Sequence, residues 1–304
     1  MNTKLPSNQS QFCLPNVSSL ESSEQAFIDA FFRSAQILHQ YLEQIKSAVQ
    51  LTQGFTEQPF NLAILELFSK MCNHYYSYIL LEIHHQDRTG SNFLIEQLLE
   101  AAITLTYLIE EADNSFFLGY VTDSLTQANH LLVEVKAALN ESPNYSDLLL
   151  LKAKLENFVS THQEYASQVA SPVAQLKESR AVITSQRAQK LGFSFIINPA
   201  RSIALQVASA SWLDLQLNHS PLSLDDIELR NSINFVQLRD ASHLCLHATR
   251  AFLDEIENHH LNMTHLDSQQ RLNMLYEWFH NAHRAYQQYS LTKTAKSPQQ
   301  SRNS

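Results

Sequence analysis

Three Glu-x-x-His pairs, Glu82/His85, Glu257/His260 and Glu277/His280, are the first residues in this sequence whose types and spacing could do chemistry. At i and i+3 the two side chains share one helix face and can grip one metal ion, as in the metal-carboxylate sites of helical bundles. Such a site also needs a Glu from each of two further helices, and Glu96, Glu100, Glu110 and Glu111 are available. The placement argues against it. Glu82/His85 and Glu257/His260 fall at the ends of predicted helices, and Glu277/His280 lies off the apolar line Leu275, Phe279, Ala282. A buried metal site needs mid-helix positions facing inward. All six residues therefore read as solvated faces or helix ends, and neither a bound metal nor any other cofactor is expected.

His243 and His247 are four apart on one predicted helix, on a polar stripe with Arg239, Arg250, Asp254 and Glu257. They could form a ligand pair, but the stripe reads first as the wet face of an amphipathic helix. His219 continues the line Leu205, Ala208, Trp212, Leu215 and falls where a helix must end before Pro221. There it either donates to the last carbonyls, with the gain a cation finds at a helix C-terminus, or serves a site. Glu100 sits in the most apolar helix, flanked by Leu99, Ala101 and Ala102. A carboxylate buried there requires a partner. Glu100, Trp212 and His219 are thus the candidate binding residues, with Glu100 and His219 meeting across a small pocket. The alternative is a solvated Glu96–Glu100–Thr104 stripe with His219 only capping its helix.

No G-x-S-x-G, P-loop, G-x-G-x-x-G or H-E-x-x-H motif occurs, so nucleophilic, nucleotide-dependent and metalloprotease chemistry lacks support. The net charge is −9 with Lys and Arg scattered, which disfavours broad nucleic-acid binding. Cys13, Cys72 and Cys245 are far apart and odd in number, so they are expected as buried reduced thiols. The polar stretch 1–23 has no apolar core of a signal peptide, and the apolar runs Tyr75–Ile83 and Leu98–Ile109 are too short or interrupted to cross a bilayer. A cytoplasmic protein is expected.

The elements that must hold these residues are helices. Only 4 of 304 residues are Gly, against a usual share of roughly 7%, and long helices with short connections need few. The first helix is predicted over about Ser22–Gln50 on the seam Ile28, Phe31, Ala35, Leu38, Leu42, Ile45, Val49. The second, about Pro59–His85, carries Ile64, Phe68, Met71, Tyr75 and Ile79. Thr89-Gly90 breaks the chain before a third, about Asn92–Glu111, apolar nearly all round and hence central. Asp113 or Asn114 caps a fourth with Phe117, Val121, Leu125, Ala128, Leu132, Val135 and Leu139 in line. After the turn Glu141–Asn144 a fifth starts near Ser146, pauses at Ser171-Pro172 and ends by Gly192. A sixth starts at Asn198-Pro199; Ser223 with Asp226 opens a long segment to about His260, interrupted near Asn231. The last runs over about Ser268–Tyr289. The expected fold is all-α: a bundle of about eight long helices in two packed lobes, 21–140 and 145–290, with disordered tails 1–20 and 291–304. Strand content should be under about 5%.

Two segments resemble an uncharacterised bacterial all-helical family, one of the domains of unknown function. Its Arg-x-x-x-Glu-Ala helix, followed by an apolar run to Tyr-Leu, is similar to Glu96–Leu108, where Glu100 matches the family Glu and Glu96 stands in place of Arg. Its aromatic-x-x-Leu-Ser-x-x-x-His motif is similar to Trp212–Ser220, where Trp212, Leu215 and His219 match and Gln216 replaces Ser. The resemblance spans about residues 60–260 and implies a helical fold and a Glu100–His219 centre, without a reaction. Such domains also resemble the RNA- and nucleotide-associated helical superfamily of bacterial defence systems. Its nuclease motif, Arg, four to six residues, then His, is not met by Arg239–His243 or Arg239–His247.

The reading that results is a non-enzymatic module binding a protein partner or small ligand, with homodimerisation open and no membrane partner. A metal-carboxylate enzyme or sensor, and a divergent RNA-associated domain without a nuclease motif, are the alternatives.

Overall fold

Ser23 accepts a hydrogen bond from the Ala26 backbone N–H at 3.2 Å, and the chain enters its first long helix there. The computed structural model describes residues 13–52, 54–84, 88–112, 114–141, 145–168, 180–194, 224–258 and 268–296. Among them are eight α-helices and no strand. These are α1 (Glu24–Gln50), α2 (Pro59–His84), α3 (Arg88–Glu110), α4 (Asn114–Glu141), α5 (Ser146–Gln168), α6 (Arg180–Lys190), α7 (Leu224–Asn258) and α8 (Ser268–Lys296). The all-α expectation holds for the described residues, and no helix among them is long and apolar enough to cross a membrane.

The chain divides into two compact units, Met1–Thr106 with Thr184–Ser304, and Tyr107–Ile183. In the first, α1 packs on α2, α7 and α8, α2 on α7, and α7 on α8, giving a four-helix bundle. The seams read from the sequence are its core. Phe31, Leu38, Leu42, Ile45, Phe68, Met71, Tyr75, Leu275 and Phe279 are fully buried. Phe68 stacks on Phe252 with centroids 4.3 Å apart, and Phe31 meets Phe235 at 5.0 Å and Trp278 at 5.4 Å. Each fully buried side chain of this size contributes about 1.5–3 kcal/mol. Residues 101–108 of α3 are all buried, as an all-round apolar helix requires.

α6 joins this unit through its C-terminus. Gly192 has φ +76 and its N–H donates to Gln189, while Phe193 N–H donates to Ala188. That paired pattern is a Schellman cap, which needs a left-handed residue where Gly stands. The cap delivers Phe193 edge-on to the His247 ring at 4.8 Å, and one turn earlier Arg187 donates to Thr104 Oγ1 at 2.9 Å.

In the second unit α4 packs lengthwise on α5. Phe117, Val121, Leu125, Ala128, Leu132 and Val135 are its buried line, and Tyr107 meets Phe116 edge-on at 4.9 Å. Glu141 and Ser146, which flank the segment expected to separate the lobes, both lie within this unit, because α4 and α5 pair with each other.

Four boundaries differ from the sequence reading. Gly90 lies in the first turn of α3 instead of breaking the chain, since N–H groups there have no intrahelical partner to lose. α7 runs unbroken through Asn231 and Ser232, whose helix penalty is only a few tenths of a kcal/mol each. α8 continues to Lys296. At the other end, Asn16 caps a 3-10 turn over Val17–Ser22, and Trp278 Nε1 donates to the Pro15 carbonyl at 2.7 Å, so the chain before α1 is tied to α8. The predicted pause at Ser171-Pro172, the helix from Asn198 and the Ser223 cap lie outside the described residues.

Candidate functional site

The polar stripe read on α7 is met by a second stripe on α8. The helices run antiparallel, so partner numbers fall on one as they rise on the other. Gln269 donates to Asp254 at 3.1 Å, Arg250 donates to Asn273, and the His243 ring stacks on Tyr276 at 4.6 Å. Below that stack His243 meets Phe279 edge-on at 6.4 Å. Arg239, one turn earlier, pairs with its neighbour Asp240.

His283 completes the cluster and is 5% exposed. Its Nδ1 and the Nε2 of His243 are closed off from solvent without a hydrogen-bond partner. Burial, and secondly the charge of Arg239, hold both imidazoles down to about 4. A hydrogen bond to the Tyr276 backbone pulls His243 the other way and is outweighed. Burial, and then Arg250, lowers His247 as well. Burial raises the Asp240 carboxyl against the pull of Arg239. At neutral pH the seam therefore carries uncharged imidazoles beside one charge pair. It is a half-buried interface and not the wet face expected for His243 and His247.

Glu100 is half-buried on α3, one turn before Thr104, the acceptor of Arg187; Trp212 and His219 lie outside the described residues. Glu82 is buried, 6% exposed, while Glu257, Glu277 and His280 are exposed; His85 and His260 lie outside the described residues. No group of three or more His, Cys, Asp or Glu side chains among the described residues is placed to hold a metal ion. Nor is there a Ser–His couple at His243: the adjacent Ser242 faces α2, donates to the Leu238 carbonyl at 2.7 Å and lies 2.7 Å from the Tyr75 hydroxyl.

Sequence reasoning missed Arg187 and His283. Arg187 lies a turn before Gly192, and a capped helix end was the signal that it is held in place. His283 sits beside the seam residue Ala282 and four after Phe279, a position that faces a neighbouring helix.

No protein-family model, curated protein or solved structure matches this chain.

Proposed function

We propose that this chain is a non-enzymatic binding module whose docking element is the α4–α5 hairpin, and that its partner is a protein helix with an apolar ridge flanked by carboxylates. One observation carries the reading. Among the residues of α5 whose side chains are described, none is buried, and apolar side chains at the distal end of the hairpin stand open: Val133 at 68%, Tyr145 at 57% and Leu149 at 47% exposure. Two paired helices cannot by themselves cover both flanks of their seam, and here apolar side chains stand exposed among the charges of one flank.

The chemistry of the partner follows from the same flank. Side chains advance about 100° per residue, and the Lys136–Glu156 ion pair at 3.3 Å ties one flank of α4 to one flank of α5. Val133 lies on that flank with Lys136, and Tyr145 and Leu149 lie on it with Lys152 and Glu156. Lys152 shares the Glu156 carboxylate at 3.9 Å. Two ammonium groups thus share one carboxylate, leaving a positive centre between apolar patches. A helix bringing an acidic group there satisfies both features.

The exposure of Glu257, Glu277 and His280 favours this reading over a metal-carboxylate role. A designed 21-residue Leu/Glu amphipathic helix tests it, with a Leu/Lys helix of the same apolar face as control. The full chain should bind the first more tightly, and V133D with L149D should weaken that binding at least tenfold. No binding, or binding indifferent to both changes, overturns the proposal. A concentration-dependent dimer in sedimentation that the same changes dissolve assigns the face to a second copy instead, and overturns the partner named here.

A further inference from the structure

α8 packs on α7, on α1 and on the 3-10 turn that precedes α1. It is held on two flanks. On one, Trp278 binds the Pro15 carbonyl, and Glu24 accepts from Tyr286 at 3.4 Å and from Lys293 at 3.3 Å. On the other lies the seam with α7, whose two inward imidazole nitrogens, Nε2 of His243 and Nδ1 of His283, are sealed and unpartnered. A neutral ring tolerates this, since the orphaned atom is only an unused acceptor. An imidazolium does not, because it puts a new N–H donor and a positive charge into the same closed space.

We infer that α8 is a proton-released latch: protonation of His243 and His283 drives it off α7 and uncovers the apolar line Leu272, Leu275, Phe279. The groups facing the two rings leave no easy compensation. From α7 come Arg239, whose charge opposes protonation of both, and Asp240, already engaged by Arg239. From α8 come the Tyr276 backbone, which favours protonation of His243 and is outweighed, and His280, which opposes protonation of both rings. α1, packed behind both helices, brings Phe31 against Phe279 at 6.2 Å.

The direction of the effect is fixed. Both rings sit at about 4 in the folded chain, below the ordinary imidazole value of 6.5. Their contribution to the closed seam is complete above 6.5 and is lost as the pH falls from there towards 4. Linkage gives an increase in the opening constant of about 20-fold per histidine between pH 7 and pH 5. The released state is a helix with an apolar face, independent of the hairpin partner proposed above.

Hydrogen exchange of the full chain at pH 7 and pH 5, expressed as protection factors, tests this. Protection of α8 amides should fall at least tenfold while α1 and α2 amides keep theirs, and the uncharged double variant H243N/H283Q should hold α8 protection at both pH values. An equal fall in α1 and α2, or a fall that persists in the variant, overturns the latch. Should the variant fail to fold, ring-proton titration of the wild type decides. Both imidazoles must titrate below about pH 5, and titration near the ordinary value overturns the inference.

Discussion

The phenol oxygen of Tyr75 on α2 lies 2.7 Å from Ser242 Oγ on α7, and Ser242 also donates to the Leu238 carbonyl at 2.7 Å. The serine has one hydrogen, which the carbonyl takes, so Tyr75 is the donor to Ser242. Both side chains are fully buried, and the chain Tyr75–Ser242–Leu238 is a polar link between these two helices. Burial lifts the Tyr75 phenol well above its ordinary range, so it keeps its proton.

The direction of that chain makes the two ends unequal. Tyr75→Phe removes one buried bond and leaves Ser242 satisfied by Leu238, at a cost of about 0.5–1.5 kcal/mol. Ser242→Ala strands a buried hydroxyl on Tyr75 and should cost about 1–3 kcal/mol. In urea denaturation the serine variant should have the lower midpoint. The double variant should be no less stable than S242A alone. The reverse order of midpoints would mean that the proton runs the other way.

Thiol reactivity should separate the cysteines, which the sequence treated alike. Cys13 is exposed; Cys72 and Cys245 are buried in the bundle. Burial pushes the Cys72 thiol up to about 12 and Cys245 well above its ordinary value. Since the thiolate is the nucleophile, a disulfide reagent at pH 8 should titrate one of the three thiols at once. The other two should react only in denaturant. Two rapid equivalents in native buffer would contradict this.

What could be read beforehand followed the helical period. Leu38, Phe68, Met71, Leu125 and Leu275 were assigned to seams because an amphipathic helix repeats its apolar face every three to four residues, and burial simply follows. The functional residues had no such rule. His243 on the polar stripe of one helix looks solvated until Tyr276 and Phe279 of another cover it, and nothing within either helix says that the stripes meet. Breaks were over-read for the same reason: Gly90 and Asn231 have weak local preferences that the packing of α3 and α7 overrides.

Gly192 can be tested for what it positions. Its φ of +76 is in the left-handed region, and nothing beyond its two chain neighbours lies within 4 Å of where a Cβ would stand, so a substitution there meets strain without a clash. Gly192→Ala should cost about 1 kcal/mol and loosen the cap that sets Phe193 on His247 and follows the Arg187–Thr104 bond. A thermal melt should show the loss, and Gly192→Asn, which enters the left-handed region more readily, should lose less. Equal losses for Ala and Asn would remove the backbone explanation.

Metal content tests the remaining chemical reading. A Glu-x-x-His pair binds usefully only when both side chains point inward with further ligands opposite. Glu277 and His280 are both exposed on α8, off the line of Leu275 and Phe279. Glu257 is exposed at the end of α7, and Glu82 is buried at the end of α2 beside residues that are mostly apolar. An ion at Glu277/His280 would keep most of its ligands as water and exchange freely. Protein purified without chelator and desalted should therefore carry well under one iron, manganese or zinc per chain by elemental analysis. One or two tightly held ions would overturn this, and Glu277→Ala would be the first variant to examine. Loss of the metal in that variant would place it on the outer face of α8, while retention would move the search to Glu82.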